Sequence, residues 1–444
     1  MNVSRDSAAA AGPPPGPSDG PVPADRAAGA GGPAGGVPDQ RGTGRLAELR
    51  GPGVAPRPLD ARAIAALAAN PGCHRRALLD GAGVDKARLA RALGSPADYG
   101  QSPFAFARGN TFEARVKADS GAETVRLLHG SLRGEAAALE PPEAGEIHVP
   151  DVSAAGPQGR AARTALALRE ATARGGWSFL DHPMLVLHVA GAPAYLEPDA
   201  VVVSPDGRWT VVEIKSFPVL DGSADAEKVG AAARQAAVYA LGLAGVARHT
   251  TGAGGRTPEV ETDFLLVCPK DFSNLPTARS VDIRKQIATT RRQLARMAHV
   301  EDLAAQLPPG TTFDLRPEGE EGTPTRPVAE LTSAVDAVAA AYAPECLATC
   351  ELAFHCRAQA RAAGSVATLG RSVRGELGGL HTVDQVLAAA RSASPGSAQT
   401  DSGEQDPAAV ALRRAAALRA EALAEAAGTT QPTETETTDT AGEA

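Results

Sequence analysis

Residues 197–216 read EPDAVVVSPDGRWTVVEIKS, and this stretch decides the fold. Two runs rich in β-branched residues, 200–203 and 209–214, flank the turn sequence Ser-Pro-Asp-Gly-Arg, which predicts an antiparallel hairpin. Side chains alternate along a strand, so Glu213 and Lys215 are expected on one face. Asp199 begins the preceding strand, one hairpin away.

Segments with helical and strand patterns surround this hairpin. They predict a single α/β domain over residues 58–394, in which helices flank a sheet. The predicted helices are 61–69, 85–93, 160–173, 226–243, 281–297, 335–341 and 345–363. The further predicted strands are 184–189 and 263–268.

Both ends of the chain differ in composition from this domain. Residues 1–57 are dominated by Pro, Gly and Ala and offer few large apolar side chains, so we expect a disordered tail. Residues 395–444 carry nine acidic and three basic residues and form a low-complexity acidic tail, with a short helix expected over 407–427. The net charge of −8 lies mostly in this tail, which excludes a globally basic nucleic-acid binder but not a local basic path.

Several other classes of protein are disfavoured. No run of about 18 apolar residues occurs, so we expect no membrane-spanning helix and no membrane partner. The start has no basic segment leading into an apolar one, so no secretory signal is expected. Five unevenly placed cysteines argue against a disulfide framework. We therefore expect a reducing, cytoplasmic compartment.

The hairpin residues carry a pattern suited to phosphodiester hydrolysis. Carboxylates from neighbouring strands, Asp199 and Glu213, can hold a hard divalent cation such as Mg²⁺, and Lys215 beside that ion can orient or deprotonate water. Glu-x-Lys at a strand end is otherwise often an exposed salt bridge, and Pro-Asp is often only a turn. Lysine usage favours the functional interpretation, because the chain has only six Lys among 44 basic residues.

Two further signals lie on either side. The sequence Arg-Gly-Asn-Thr-Phe-Glu, 108–113, opens a predicted helix and offers Glu113 as another carboxylate. Gln235 and Tyr239 lie four residues apart on the Ala-rich helix, hence on one face, where they could contact a nucleic-acid strand. Glu113 could instead favour the helix dipole, and Tyr239 could simply pack in the core.

The order Arg-Gly-x-x-x-Glu, Pro-Asp, Glu-Ile-Lys, Gln-x-x-x-Tyr resembles the RecB-like branch of the PD-(D/E)XK nuclease superfamily. The resemblance covers residues 73 to about 363, with its core motifs in 108–240. It implies a restriction-endonuclease-like mixed sheet flanked by helices, and cleavage of DNA with Mg²⁺ or Mn²⁺. The residues that it matches are the metal carboxylates Asp199 and Glu213, the Ile214 carbonyl, the catalytic Lys215, Glu113 where many members carry His or Glu, and the Gln235/Tyr239 helix.

Four cysteines form a second pattern. Cys73 precedes the nuclease motifs, and Cys346, Cys350 and Cys356 follow them with the spacing Cys-x₃-Cys-x₅-Cys. Clustered thiols in a reducing compartment favour soft metals, with Zn²⁺ or an iron–sulfur cluster the main choices. The arrangement is similar to that of the iron–sulfur exonucleases of this branch, the CRISPR-associated RecB-like enzymes and the AddB nuclease domain, which implies a 4Fe-4S cluster that staples the ends of the domain.

Alternatives remain for the cysteines. A Zn²⁺ site would take His74 or His355 as a substitute ligand, and the thiols could also be buried without a metal. Cys268, in the middle of a predicted strand, is expected to be a core residue.

Other sequence features concern possible contacts with nucleic acid. Arginines at 75, 76, 108 and 115 and along 284–296 could meet phosphate, although a basic helix face is often simply solvated. Residues 366–391 resemble a small helical hairpin with glycine turns, of a kind that can contact a DNA backbone. There is no P-loop, so unwinding would need a separate helicase.

These patterns together predict a metal-dependent DNA exonuclease on single-stranded ends, acting in repair, recombination or defence. One alternative is a catalytically inactive nucleic-acid-binding scaffold with a structural metal cluster. A second alternative is a redox or metal-sensing module with a vestigial nuclease fold.

Overall fold

A computed structural model describes most of the chain between Gln40 and Gly428. The described residues are 40–96, 103–131, 139–140, 143, 145–189, 192–250, 257–297, 299–315, 317–318, 323–392 and 406–428. Residues 1–39 of the predicted N-terminal tail and residues 393–405 and 429–444 of the predicted acidic tail lie outside the described residues.

Helices and strands alternate along the described chain, as the sequence predicts. The helices are α1 (Gln40–Arg50), α2 (Ala61–Ala69), α3 (His74–Gly81), α4 (Lys86–Ala92), α5 (Pro103–Val116), α6 (Ala118–Ser131), α7 (Gly156–Arg174), α8 (Ala226–Ala247), α9 (Arg284–Met297), α10 (Val300–Ala305), α11 (Val328–Asp336), α12 (Ala353–Ala362), α13 (Arg371–Glu376), α14 (Val383–Arg391) and α15 (Pro407–Gly428). The strands are β1 (Ser178–Asp181), β2 (Leu185–Val189), β3 (Ala192–Leu196), β4 (Ala200–Val203), β5 (Trp209–Ile214), β6 (Asp263–Pro269), β7 (Pro276–Asp282), β8 (Pro317–Glu318) and β9 (Thr323–Pro324).

A mixed five-stranded sheet lies at the centre of the fold. Its strand order is β1-β4-β5-β6-β7, and small two-stranded sheets are formed by β2-β3 and β8-β9. β4 and β5 pair antiparallel, which confirms the predicted hairpin, and β5 and β6 pair parallel. The parallel pair requires a crossover, and α8 lies within it. The expected mixed α/β architecture is therefore present.

The two faces of the sheet are covered by different helices. Val201, Val203 and Val211 pack with α2, α7 and α8 in one apolar cluster. Val202 and Val212, pointing the other way, pack with α5 and α6 in a second cluster. Alternation along β4 and β5 thus divides the core into two layers, and the odd-numbered residues face α8.

A third apolar cluster is helical and holds two of the cysteines. It joins α1, α3, α4, α10, α11 and α12, and includes Cys350 and Cys356 among its buried residues. Cys346 packs against it. Two short 3₁₀-helices, Pro344–Ala348 and Val366–Leu369, flank α12.

Helix α8 is the only described helix that is long and apolar enough, by length and composition, to cross a membrane. The sequence-based expectation of no membrane-spanning helix therefore overlooked one helix that has the length and composition to span a membrane. Ten of its residues are buried, and it packs against α2, α9 and β5. Its apolar surface is accounted for by the core of the α/β fold.

The structure corrects three predictions about element boundaries. α1 lies inside the predicted tail 1–57, and its Leu49 is fully buried, so the packed chain begins earlier than residue 58. The predicted helix 281–297 begins only at Arg284, because the residues before it form the edge strand β7. The predicted helix 335–341 ends at Asp336 and begins upstream at Val328.

The C-terminal hairpin and the short helix beyond it are present. α13 and α14 lie within 366–391, and a capping box of Thr382 and Gln385 begins α14. The helix expected over 407–427 is α15, which packs against α14.

Candidate metal and catalytic site

Asp199 and Glu213 are cross-strand neighbours on the face of the sheet that α8 covers. Ala200 pairs with Val212, so the same antiparallel register places Asp199 opposite Glu213. Residues directly opposite in such a pair have Cβ atoms about 4.5–5.5 Å apart. The Asp199 side chain also accepts a hydrogen bond of 2.6 Å from the Ile214 backbone N–H. The predicted convergence of the two carboxylates on one sheet face is present.

Glu213 is fully buried, and its carboxylate is poorly satisfied. The Nζ of Lys215, two residues along the same strand, forms an ion pair with Glu213 Oε1. Apart from that ammonium group, neither carboxyl oxygen of Glu213 has a hydrogen-bond partner among the described residues. A buried carboxylate left in this state is unfavourable for folding, and its oxygens remain available to a cation.

Burial and charge perturb the pKa values of all three groups. Burial raises the pKa of Glu213 to about 7, an effect that Lys215 opposes and Asp199 reinforces. Burial also raises the pKa of Asp199, against the influence of Lys215 and the Ile214 N–H. For Lys215, burial acts to lower the pKa, but the charges of Glu213 and Asp199 outweigh it and the pKa is raised. Lys215 therefore carries a positive charge in this site.

The two predicted residues on α8 reach the same site. Lys215 Nζ donates to Gln235 Oε1 at 3.4 Å, and Gln235 Nε2 donates to the Tyr239 hydroxyl at 2.8 Å. The Tyr239 hydroxyl donates in turn to the Glu197 carbonyl at 3.0 Å. This chain of hydrogen bonds ties α8 to the residue after β5 and to the segment between β3 and β4, so Tyr239 is more than core packing.

Glu113 reaches the site from the opposite helical layer. It lies on α5, and a Cβ at Gly109, one turn earlier, would lie 3.9 Å from the Ser216 side chain just beyond β5. Glu113 is near enough to affect the pKa values of Asp199 and Glu213. Its carboxylate is already engaged, however, with Lys117 Nζ at 2.6 Å and His182 Nε2 at 3.1 Å.

Sequence reasoning missed the cluster that holds Glu113. Lys117 also pairs with Asp181 at 2.7 Å, and His182 Nδ1 meets Asp181 at 2.9 Å. Hydrogen bonds from His182 and Lys117 lower the pKa values of Glu113 and Asp181 to about 2, and those two carboxylates raise the pKa of His182 to about 9. The signal that was present in the sequence is the spacing of Lys117, one of six lysines, four residues after Glu113.

Unusual backbone conformations flank this cluster. His182 has φ +43°, and Asp119 and Ser120, in the first turn of α6, have φ +52° and +59°. Gly121 continues this left-handed run, and a Cβ there would lie 2.7 Å from the Phe179 ring, so only glycine fits. Strained backbone of this kind is concentrated at functional sites.

The donor set of the hairpin fits a divalent cation. Asp199 and Glu213 are adjacent, and Glu213 offers two buried oxygens lacking hydrogen-bond donors other than Lys215. Mg²⁺ commonly uses only one or two carboxylates and keeps several waters. Within the described ranges, no group of three or more His, Cys, Asp or Glu side chains is arranged to hold a metal ion. The candidate site therefore rests on two carboxylates, with Glu113 held to one side by Lys117.

Cys346, Cys350 and Cys356 lie in or against the helical cluster and Cys73 precedes α3, but among the described residues no three of these cysteines are arranged to hold a metal ion. Cys73 is the residue before α3, and Cys73 and Cys346 both influence the pKa of Cys356. Cys350 follows Cys346 by one turn, with a backbone hydrogen bond of 2.8 Å between them. None of the cysteines is in a disulfide, and burial raises the pKa of Cys350 to about 12.

Two buried arginines join the segments that carry these thiols. Arg75 donates to Cys356 Sγ at 3.2 Å and to the Val338 carbonyl at 3.1 Å. Arg76 donates to the Thr349 carbonyl at 2.6 Å and influences Cys350 through its charge. Both side chains are about 5% exposed, so the expectation that they meet phosphate is wrong. Their charges are already paired with carboxylates, since Arg75 lies 3.7 Å from Asp336 and Arg76 lies 3.1 Å from Asp80.

The remaining candidates are placed as follows. Cys268 is a buried core residue in β6, as expected. His355 lies 3.4 Å from Asp336, and His74 begins α3 directly after Cys73. Arg108 and Arg115 are exposed on α5, and Arg284 pairs with Asp282.

Neither the known protein families nor the characterised proteins include a match to this chain.

Proposed function

We propose that this protein is a metal-dependent DNA nuclease of the RecB-like PD-(D/E)XK type, acting on single-stranded ends. The observation that carries the proposal is the cross-strand placement of Asp199 beside Glu213, with Lys215 on the same face. A binding scaffold needs none of these buried charges, and the unsatisfied Glu213 carboxylate costs stability. Residues kept against stability are typical of active sites.

Asp199, Glu213 and the Ile214 carbonyl are the groups that would hold Mg²⁺ or Mn²⁺. A divalent cation there supplies positive charge that stabilises the charge developing on a phosphodiester. Glu113 would reach the ion only by giving up part of its contact with Lys117 and His182. We therefore assign Glu113 first to positioning α5 against the hairpin.

Lys215 would orient the attacking water. Its raised pKa keeps it protonated, so it donates hydrogen bonds and does not act as a base. Gln235 contacts its ammonium group, and Tyr239 fixes Gln235 through a hydrogen bond of 2.8 Å. Gln235 and Tyr239 are thus positioning residues in this proposal.

We further propose that Cys73, Cys346, Cys350 and Cys356 hold a 4Fe-4S cluster. Such a group contributes folding free energy by tying distant segments of the chain together. Arg75 and Arg76 already hydrogen-bond across those segments, and Arg75 donates directly to Cys356 Sγ, a contact that would suit a thiolate ligand. Zinc remains the alternative metal, with His74 directly beside Cys73.

The colour and metal content of anaerobically purified protein distinguish the iron–sulfur cluster from zinc. A brown protein with about four irons per chain supports the cluster, since four cysteines ligate a cubane. Colourless protein with one zinc per chain would instead indicate a tetrahedral zinc site.

Incubation with labelled DNA tests the function itself. Full-length protein should degrade single-stranded DNA when Mg²⁺ or Mn²⁺ is present and leave it intact in EDTA. Double-stranded DNA should be degraded poorly, because no P-loop is present to drive unwinding, and a separate helicase would supply that step in a cytoplasmic complex. Tight DNA binding without cleavage under any metal would favour the inactive scaffold.

A further inference from the structure

The turn that joins β6 to β7 carries the most exposed aromatic side chain of the described residues. Phe272 is 88% exposed, and Leu275 in the same turn is 55% exposed. The turn residues around them, Asp271, Ser273 and Asn274, are exposed and polar. Single apolar residues are common on protein surfaces. The rigidity of this turn and its place in the sheet distinguish Phe272 from them.

Hydrogen bonds hold the backbone of this turn in place. The Lys270 N–H donates to the Leu275 carbonyl at 2.7 Å, and the Ser273 hydroxyl donates to the Lys270 carbonyl at 2.6 Å. Asp271, which has φ +53°, donates its N–H to the Val219 carbonyl at 2.8 Å and so ties the turn to the segment after β5. The exposed ring thus projects from a fixed backbone, and a ligand stacked on it would have little further chain to order.

The turn lies at the same edge of the sheet as the candidate catalytic site. β5 and β6 are parallel, and the Lys215 N–H donates to the Val267 carbonyl at 2.9 Å, so both strands end at this edge. β4 runs the other way, so Asp199, just before its start, is at this edge as well. The segment after Lys215 continues beside the turn, because the Val219 N–H donates to the Pro269 carbonyl at 2.9 Å.

The spacing between Lys215 and Phe272 suits a short length of a nucleic-acid strand. Lys215 lies opposite Cys268, one residue beyond the last pair of the β5–β6 register. Phe272 follows Cys268 by four residues, which span at most about 14 Å. At ~3.4 Å per nucleotide along a stacked strand, about four nucleotides cover that length, and an extended strand needs fewer. A strand with a phosphodiester at Lys215 therefore brings one of its next few bases to Phe272.

An isolated ring among polar neighbours suits a base better than a protein partner. Stable protein interfaces bury about 800 Å² on each partner, whereas the exposed large apolar side chains of the turn and the segment beside it are Phe272, Leu275 and Leu220. Every nucleobase has a π face that can stack on an aromatic side chain, whatever the sequence.

The charges around the turn are balanced. Lys270 and Arg279 are exposed cations, and Arg279 Nη2 would lie 3.6 Å from a Cβ at Gly222. Asp221 and Asp271 are exposed carboxylates, and Asp271 Oδ1 accepts the Asp221 N–H at 3.4 Å. Net attraction for phosphate is therefore small at this turn. A contribution of the ring to binding should accordingly be independent of salt.

We propose that Phe272 is a stacking platform for one unpaired base of the DNA strand, a few nucleotides from the bond that Asp199, Glu213 and Lys215 would cleave. The inference deepens the proposed nuclease function and rests on it for the identity of the ligand. Phe272 is a positioning residue, which holds the strand by a base and not by a phosphate. A base inside a duplex is already stacked on its neighbours, so the platform favours single-stranded ends.

The test is equilibrium binding of a fluorescein-labelled oligodeoxythymidylate to the full-length protein in EDTA, followed over a range of salt concentrations. Phe272→Ala should weaken binding by between about 5- and 150-fold, the range for one stacked base, and leave the slope of log K against log salt unchanged. Its melting temperature should equal that of wild type, because the ring lies in solvent. Phe354→Ala is the matched control, since Phe354 is 44% exposed on α12, and it should bind as wild type does.

Two further measurements show whether the ring stacks on a base. Phe272→Trp should bind as tightly as wild type, and the oligonucleotide should quench its fluorescence, because the natural Trp177 and Trp209 are buried. An unlabelled competitor with one abasic nucleotide, placed at each position in turn, should bind wild type more weakly at one position. The same position should make no difference to Phe272→Ala, which is the coupling expected of two groups in contact.

Several outcomes would overturn the inference. The first is equal binding by wild type and Phe272→Ala, or no binding by either protein. The second is a loss in Phe272→Ala that adds to the effect of an abasic nucleotide at every position. The third is a wild-type dimer that Phe272→Ala dissociates in sedimentation, which would assign the ring to a contact with a second copy of the chain.

The same proteins distinguish failure of the inference from failure of the proposed function. DNA binding that depends on Phe272, without cleavage in Mg²⁺ or Mn²⁺, would refute the nuclease and keep the stacking platform. Metal-dependent cleavage that is equal in wild type and Phe272→Ala at subsaturating DNA would refute the platform and keep the nuclease.

Discussion

The carboxylate of Asp199 accepts a hydrogen bond from the backbone N–H of Ile214, at 2.6 Å, across the β4–β5 hairpin. This bond fixes the Asp199 side chain just before the start of β4, beside Glu213, which is the residue that precedes Ile214. The buried carboxylate of Glu213, whose pKa is about 7, and the partly exposed carboxylate of Asp199 are thereby held side by side. Two neighbouring carboxylates are costly by themselves, and the cation of the proposed function would offset that cost.

Asp199→Asn should separate the cost of two neighbouring carboxylates from the stabilisation that a bound cation would provide. The Asn side-chain oxygen can still accept the Ile214 N–H, while one of two neighbouring charges is removed, so the melting temperature in EDTA should stay equal or rise. The stabilisation by Mn²⁺ should disappear. For wild type that gain is about 2.7 kcal/mol when the ion is at 100 times its dissociation constant. Thermal melts with and without Mn²⁺ measure both.

One outcome of the Asp199→Asn melts would contradict the prediction. If Asp199→Asn retains the full Mn²⁺-induced shift, the cation does not bind at the hairpin. Asp206→Asn is the matched control, because Asp206 lies in the turn of the same hairpin and pairs with Arg208. Its metal response should equal that of wild type.

Lys215→Ala should abolish most cleavage and leave DNA binding in place. It removes the ammonium group that contacts Glu213 and Gln235 but keeps both carboxylates. General acid–base or orienting groups typically contribute about 10²–10⁴ in rate. Single-turnover cleavage with saturating enzyme measures this loss, and anisotropy with labelled DNA measures binding.

Lys228→Ala is the control for Lys215→Ala. Lys228 is on the same helix as Gln235, and its Nζ lies 6.0 Å above the ring centre of Phe217, away from the two carboxylates. Its cleavage rate should be near that of wild type. A Lys215→Ala protein that cuts DNA at the wild-type rate would remove Lys215 from the mechanism.

The hairpin could be predicted, whereas the cluster around His182 could not. Local signals, two β-branched runs and one turn, are enough to place Asp199 opposite Glu213, and a four-residue spacing puts Gln235 beside Tyr239. His182 meets Glu113 only because α5 packs against the end of β1, a contact between residues 69 positions apart. Nothing local in the sequence specifies that contact.

α1 and β7 are two of the elements that the sequence analysis did not predict, and both depend on tertiary structure more than on local pattern. α1 occurs in a Gly-rich stretch and is stabilised by burial of Leu49 against α10, which is a tertiary effect. β7 is an edge strand with polar residues on its exposed side, so its alternation is weak.

His182 should make stability depend on pH in the alkaline range. Its pKa is about 9 in the folded protein and about 6.5 when unfolded, so the folded state binds the proton more tightly. This stabilisation is fully present below about pH 6.5 and is lost as the pH rises to 9. In EDTA, the melting temperature should therefore fall over that window, and His182→Gln should flatten the fall.

The carboxylates of the same cluster predict a second, acid window. The pKa values of Glu113 and Asp181 are lowered to about 2, so their stabilisation is present above about pH 4.5 and is lost as the pH falls toward 2. Melts of wild type and His182→Gln over both windows check the signs. A wild-type melting temperature that rises between pH 6.5 and 9, with no such rise in His182→Gln, would contradict the assigned ion pairs.

Cys350→Ala tests whether the cysteine region binds a cluster, and Cys268→Ala is its matched control. Both thiols are buried, with pKa values raised to about 12 by burial, but only Cys350 is a proposed ligand. Loss of a buried sulfur alone should lower the free energy of unfolding by about 1 kcal/mol in each variant. Loss of a ligand should add to this in Cys350→Ala, because cluster binding is coupled to folding.

The measurements are iron content and melting temperature after anaerobic purification. Cys268→Ala should keep about four irons, and Cys350→Ala should lose iron and melt at a distinctly lower temperature, with cleavage lost as a consequence. Arg75 and Arg76 would still join α3 to residues 338–359, so the variant should remain folded at low temperature. If Cys350→Ala melts with wild type yet cleaves no DNA, the cluster does not act as a staple and belongs instead to the DNA path or to redox control.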